Sequence, residues 1–284
     1  MATDQRPRGV FRRIVLWTAT AVFLSAALVA FIVSREVMRD LPPVEQLLNY
    51  HPPVATRVYA DDNTLIGEFF LERRYLIPID RIPELVKQAF LAAEDAEFYS
   101  HRGINPTSIM RAFVTNFRRQ EVAQGGSTIT QQVVKQLLLS PERSFERKAK
   151  EMILALQLET KLSKEDILYL YLNQIYFGAG THGIAAAART FFDLDVTELS
   201  VAQAALLAGL PQAPSRYDPS RHPQAAIQRQ HYVLERMKVE HFITPEEYEA
   251  ALSEPLAFSG RKPITYNAAP WYVEHVRRLL EDRY

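Results

Sequence analysis

The chain has 284 residues, with 33 lysines and arginines against 33 aspartates and glutamates, and no cysteine. That length suffices for one large domain or two small ones with a proper core. Balanced charge argues neither for nor against a polyanionic partner, and the missing cysteine excludes disulfides, thiolate catalysis and thiolate metal sites while leaving the redox compartment open.

Arg6, Arg8, Arg12 and Arg13 precede an uncharged run from Ile14 to Val33, about the 20 residues a helix needs to cross a bilayer. The positive-inside bias puts residues 1–13 in the cytoplasm, a retained anchor over 14–34, and the rest outside. A cleaved signal peptide is the alternative, but the run is long for one and no clear small-x-small site follows. Prolines 42, 43, 52 and 53 mark a linker within 35–80. In that stretch RVYA and TLIGEFF flank Asp61-Asp62-Asn63, and RRYLIPI follows. This reads as a hairpin plus a third strand, a structural collar.

From Pro83 the signals are helical. Pro83 at a first-turn position, with Val86, Ala89, Phe90 and Ala93, starts one helix. Ser163-Lys164-Glu165-Asp166 opens another, expected to run to Phe177 and stop at Gly178. Ser200-x-x-Gln203 is a capping box for an apolar helix ending at Gly209 and Pro211. Thr244-Pro245-Glu246-Glu247 caps a further helix, and Ala269-Pro270 begins the last. The expected fold class is mainly α with a minor β element.

Three segments carry candidate chemistry. In AAEDAEFYSHRG (92–103), Val86, Phe90, Glu94 and Phe98 fall at i, i+4 spacing, so Glu94 interrupts an apolar stripe. A carboxylate among aromatic rings loses hydration, and its pKa rises toward a value useful for proton transfer. The alternative is a glutamate fraying into solvent at a helix end. A metal reading of Glu94, Asp95 and His101 is weaker, since the H-E-x-x-H spacing is absent. In GGSTITQQVVK (125–135), two glycines permit close backbone approach, Ser127 or Thr128 caps a helix, and its free amides favour an anion. Thr128, Gln131, Gln132 and Lys135 are expected on one polar face suited to sugar hydroxyls and phosphate; an ordinary glycine turn with a solvated face is the bland reading. Arg143, Arg147, Lys148, Lys150 and Glu151 form the third cluster. Such runs are usually solvated helix faces, yet four cations would hold Glu151 ionised, as an organiser of cations or a metal ligand.

A glycosidase needs a protonated acid for a poor leaving group plus a second carboxylate. One raised carboxylate, one held ionised and many phosphate-binding groups instead suit a donor with a diphosphate leaving group, and beside a membrane a lipid diphosphate-sugar is the natural candidate.

Together these segments resemble the peptidoglycan glycosyltransferase domain (glycosyltransferase family 51) of class A penicillin-binding proteins and their monofunctional relatives. EDAEFYSHRG, GGSTITQQVVK, RKAKE (147–151), LNQIYFGAGTHGIAAAA (172–188) and ELSVAQAALLAGLPQAPSRYDP (198–219) look like its five motifs, in order, from about Ile82 to Met237. The resemblance implies a lysozyme-like domain over 81–240, with 241–284 starting a connector to a transpeptidase domain. It implies inverting polymerisation of lipid II into β-1,4 glycan strands, releasing undecaprenyl diphosphate at the outer face of the bacterial inner membrane.

On the same grounds Glu94 is the expected general base and Glu151 the second essential carboxylate. Lys135, Arg143 and Lys150 are expected to hold the donor diphosphate, and Ser127, Thr130, Gln131 and Gln132 to line the groove. Asp95 and His101 are expected to be structural. The implied cofactor is a divalent cation (Mg²⁺ or Mn²⁺), with Glu151 contributing to it, and no organic cofactor. Implied partners are lipid II, the growing strand, the membrane and cell-wall synthesis proteins, with moenomycin as inhibitor and no nucleic acid. Gln136, Asp193 and the pair Gln230-His231 depart from the family's usual asparagine, glycine and Arg-Asn. Ile109, Met110, Phe113 and Phe117, bordered by Arg111, Arg118 and Arg119, fit either a membrane surface or a core. Ser259-x-x-Lys262 matches a transpeptidase element literally but lacks its context, so the chain reads as part of a longer one. A membrane-anchored glycan hydrolase and an inactive cell-wall scaffold are the rival functions.

Overall fold

Thr56–Tyr59 (β1) and Leu65–Phe69 (β2) pair antiparallel, forming the expected hairpin around Asp61-Asp62-Asn63. Asp62 Oδ1 accepts from the Thr64 amide at 2.9 Å, and Asn63 takes φ 64°, a turn conformation that asparagine tolerates. The structure is a computed structural model, and it describes residues 38–48, 50, 52–70, 72–111, 126–142, 144–178, 180–259 and 269–283, besides 17, 18, 20, 25 and 35. The expected anchor over 14–34 lies almost wholly outside the described residues. No helix among those described is long and apolar enough to cross a membrane.

Helix α1, Glu84–Glu94, begins with Pro83 as its N-cap, not in its first turn, and buries Val86, Ala89 and Phe90. It stops at Glu94, because Asp95 turns out of the helix at φ −159°, ψ 73°. Phe98 therefore lies beyond the helix, yet is fully buried. Helix α2, Ile129–Leu137, starts at a complete capping box in which Thr128 is the N-cap and Gln131 closes it. Helix α3 spans Phe145–Lys161 and α4 spans Lys164–Gln174, the latter capped by Ser163 and Asp166.

The helix expected to reach Phe177 ends three residues earlier. Ile175 is extended (φ −56°, ψ 138°), and Tyr176–Gly178 (β4) pairs antiparallel with Thr181–His182 (β5). Aromatic Tyr-Phe suits a strand, and Gly178 at φ 91° cannot continue a helix. The third strand also differs from expectation. Arg73–Arg74 (β3) leaves the hairpin and pairs parallel with β5, building a separate sheet in the order β3-β5-β4.

Helices α5 (Ile184–Phe192), α6 (Val201–Gly209), α7 (Pro223–Val239), α8 (Pro245–Ser253) and α9 (Pro270–Arg283) complete the chain. The Ser200–Gln203 and Thr244–Glu247 boxes cap α6 and α8 as expected. Asp193 ends α5 in the left-handed region at φ 61°, which explains why glycine is usual there and why aspartate is tolerated. Gln230 is buried, and its amide donates to the Ala202 carbonyl at 3.0 Å, fastening α7 to α6.

Helix α6 packs on both α1 and α7, while α2 packs on α3 and α4. Phe90 joins the two groups, with T-shaped contacts to Tyr171 of α4 (6.2 Å) and Phe177 of β4 (5.9 Å). Burying one such ring stabilises by roughly 2–3 kcal/mol. One turn later on α1, where these groups meet, stands Glu94. Helix α9 lies on β2, so tightly that a Cβ on Gly67 would come within 2.6 Å of Val273.

Candidate active site

A cleft opens at the C-terminal end of α1, and Glu94 forms part of its floor. Helix α1 aims the Glu94 carboxylate inward. Its Oε2 accepts from Gln132 Nε2 at 2.7 Å, while its Oε1 is buried with no hydrogen-bond partner among the described residues. Burial pushes its pKa up, only partly offset by the Gln132 hydrogen bond and by Arg229 and Lys135 nearby. The solvent-frayed reading is thus excluded: a dehydrated carboxylate near ordinary cations can take a proton at moderate pH.

The remaining acids of the first segment are occupied. Asp95 is buried, with His101 Nε2 at 2.9 Å from its Oδ2 and the Ile129 amide donating to the same oxygen at 3.1 Å. Asp95 thereby ties the end of α1 to the first turn of α2. Glu97 accepts from Asn105 Nδ2 (2.7 Å) and Thr107 Oγ1 (3.0 Å), which hold its pKa down. Among the described residues no cluster of three or more His, Asp or Glu could hold a metal, so a metal site at Glu94, Asp95 and His101 is not formed.

Helix α2 divides its polar residues between two directions. Ser127, Gln132 and Lys135 line the cleft. Thr130 and Gln131 do not, contrary to the sequence expectation, because both are fully buried. Thr130 Oγ1 donates to Glu159 Oε1 at 2.6 Å, and Lys164 pairs with the same oxygen at 2.7 Å, joining α2, α3 and α4. Gln131 spends its carbonyl oxygen on the Thr128 amide at 2.9 Å. Of the expected shared face, Thr128, Gln132 and Lys135 line the cleft and Gln131 does not.

The third segment is also rearranged. Glu151 is buried on α3 and pairs with Lys148, whose Nζ donates to Ser127 Oγ at 2.9 Å. Lys150, expected at the diphosphate, instead pairs with Glu146 at 2.7 Å and lines a different cavity beside Asp40, Pro42 and Leu139. Positions 148 and 151 share a helical face and 150 does not, so this spacing could have singled out Lys148. The expected ring of four cations around Glu151 is one lysine among the described residues, and Arg143 lies outside them.

The opposite wall comes from α7, which the sequence reading did not assign to the site. Arg229, Tyr232 and Arg236 recur at i, i+3, i+7 and all border the cleft. Arg229 stacks over Tyr232 at 4.5 Å, and Arg236 pairs with Glu240. Their helical spacing is visible in the sequence, but nothing local says that this face meets α1.

The chain is similar to known proteins over most of its length. The family model described as Transglycosylase matches residues 62–238, starting inside the hairpin. Penicillin-binding protein 1A of Aquifex aeolicus is 42% identical over 263 residues, covering 93% of this chain and 36% of that protein. Penicillin-binding protein 1A of Neisseria gonorrhoeae is 41% identical over 244 residues, covering 86% and 31%. The crystal structure of penicillin-binding protein 1A from Haemophilus influenzae aligns at 27% identity and TM-score 0.46, over 83% of this chain and 25% of that one. The chain spans about a third of the length of the curated relatives it matches. With the family model covering most of its described helices, the chain belongs to the transglycosylase family and carries the glycosyltransferase domain of class A penicillin-binding proteins.

Proposed function

We propose that this domain polymerises lipid II into β-1,4 glycan strands, with inversion and release of undecaprenyl diphosphate. The observation that carries this reading is the Glu94 carboxylate, buried and raised in pKa, in a cleft walled by Lys135 and Arg229. Glu94 takes the proton from the acceptor 4-hydroxyl as that oxygen attacks the anomeric carbon of the donor. The bond from that carbon to the diphosphate oxygen breaks on the opposite face, and the diphosphate leaves with the electron pair. Lys135, together with Lys148 behind Ser127, offers cations to the departing charge. The other carboxylates at the cleft are engaged: Asp95 by His101, Glu97 by Asn105 and Thr107, Glu240 by Arg236. A hydrolase would use a protonated Glu94 as acid and one of these, ionised, as base or nucleophile, and cleavage of preformed glycan is the outcome that separates it from a polymerase.

Among the described residues no group of three or more His, Asp or Glu could hold a divalent cation, and Glu151 is paired with Lys148. A Mg²⁺ or Mn²⁺ ion enters this proposal only as a companion of the substrate diphosphate, and no step depends on it. Membrane attachment rests on the apolar stretch over 14–34 and on exposed side chains. Ile109 and Met110 are exposed, against the core reading, as are Phe145, Met152 and Leu156 of α3. Phe113, Phe117, Arg118 and Arg119 lie outside the described residues. We place the domain in the periplasm, with the N-terminus cytoplasmic, and keep cell-wall synthesis proteins as partners and moenomycin as inhibitor in the same proposal.

The deciding experiment incubates the purified chain with labelled lipid II in detergent and sizes the product on a gel. Ladders of polymer are expected; cleavage of preformed glycan, or no reaction, overturns the proposal. Two lysines sharpen it. Lys148→Ala is expected to lower the polymerisation rate by about tenfold or more, since it frees a buried carboxylate and removes a cation facing Ser127. Lys150→Ala, whose pair with Glu146 is at the surface, is expected to change the rate by less than about twofold. Equal losses would contradict the assignment.

A further inference from the structure

Tyr171 lies on α4, outside every segment that the chemistry above uses. It is 1% exposed, and its ring packs edge-on against Phe90, one turn before Glu94 on the same face of α1. Its hydroxyl is buried and meets no hydrogen-bond partner among the described residues. Burying a phenol hydroxyl unpaired is unfavourable, and a phenylalanine there would avoid that cost. The Glu94 Oε1 atom is in the same condition, since Gln132 holds only Oε2. The Tyr171 phenol feels the charge of Glu94, so an unpaired buried donor and an unpaired buried acceptor stand within electrostatic reach of each other.

We propose that the Tyr171 hydroxyl is a positioning donor for the Glu94 base, its proton directed across one water at the carboxylate oxygen that Gln132 leaves open. This rests on Glu94 being the base of the proposed reaction. Burial and the charges of Glu94 and Asp95 raise the tyrosine pKa, so the phenol keeps its proton and can only donate toward an ionised neighbour. The groups facing Glu94 from the packed elements are Gln132 and Lys135 on α2, Arg229 on α7, Asp95 at the end of α1, and Tyr171 on α4. Lys135 and Arg229 supply charge without a hydrogen bond to Oε1, so direction at that oxygen falls to Tyr171. A donor on each oxygen holds the carboxylate plane fixed, as a base must be held to meet one hydroxyl.

The test is Tyr171→Phe in the full chain, which keeps the ring and its contact with Phe90. The Glu94 carboxyl is titrated by ¹³C NMR with labelled glutamate, assigned through Glu94→Gln, and polymerisation of lipid II is followed against pH. Losing a donor to the ionised form raises the Glu94 pKa, by about one unit, so the acidic limb of the rate moves to higher pH. At neutral pH kcat is expected to fall on the order of tenfold with KM little changed. In the Glu94→Gln background the same substitution should have no further effect on rate. A lowered Tm with an unmoved Glu94 titration and pH profile overturns the proposal and leaves Tyr171 a packing residue. If wild-type protein makes no polymer the functional reading fails, and the NMR titration still decides the positioning role.

Discussion

Glu94→Gln is expected to lower lipid II polymerisation by about 10²–10⁴-fold, the usual contribution of a positioned base, while the chain stays folded. Glutamine preserves shape and can still meet Gln132, but cannot accept the acceptor's proton. The same substitution removes a charge that burial disfavours. Because the folded-state pKa is raised, the fold favours the protonated form, and the penalty for ionising Glu94 grows as pH rises from its unfolded pKa to its folded one. At neutral pH, Glu94→Gln should therefore melt at or above the wild-type temperature, a trade of stability for activity. For the wild type, rate requires the ionised form, so activity is lost as pH falls through the raised pKa. The acidic limb should lie above the usual glutamate range. A variant that keeps its rate, or a limb near the ordinary carboxylate pKa, contradicts the assignment.

Gly103→Ala is expected to destabilise the protein by roughly 2–5 kcal/mol, summing left-handed strain and overpacking. Gly103 holds φ +76°, and a Cβ there would lie 2.6 Å from the Ala155 carbonyl oxygen on α3. That oxygen belongs to a helix backbone and cannot move aside. The Gly103 carbonyl also accepts from Thr128 Oγ1 at 2.6 Å. One residue therefore fastens the loop behind Glu94 to the cap of α2 and to the helix carrying Glu151. Denaturant unfolding measures the loss, and activity should fall more than stability predicts wherever the variant still folds. An unchanged midpoint would show that the loop relaxes without cost.

Much of the helical frame was legible because capping is local chemistry. Ser163, Ser200 and Thr244 announce their helices through a hydroxyl and an acid or amide three residues on, and the structure forms all three boxes. Glu94 was legible because its place in an apolar stripe implies dehydration wherever the helix packs. What failed depended on distant partners. Arg73–Arg74 has no alternation to announce a strand, and its partner β5 lies more than a hundred residues away. Ile175-Tyr176-Phe177 continues an apolar run, and only the pairing with β5 separates helix from strand there. Thr130 was expected in the groove from the family resemblance, and Gln131 from that and from its polar face, but their polarity here serves a buried carboxylate and a cap. The α7 wall was invisible for the same reason: its periodicity describes a face and says nothing of what that face meets.

The close fit of Gly67 beneath Val273 has a mechanical consequence. Any side chain at position 67 would meet the branched Val273 side chain at 2.6 Å, so the hairpin and helix α9 can seat together only because that position carries a hydrogen. The spacing between the two elements is thus set by an atom that is missing, and a methyl group there would act as a wedge.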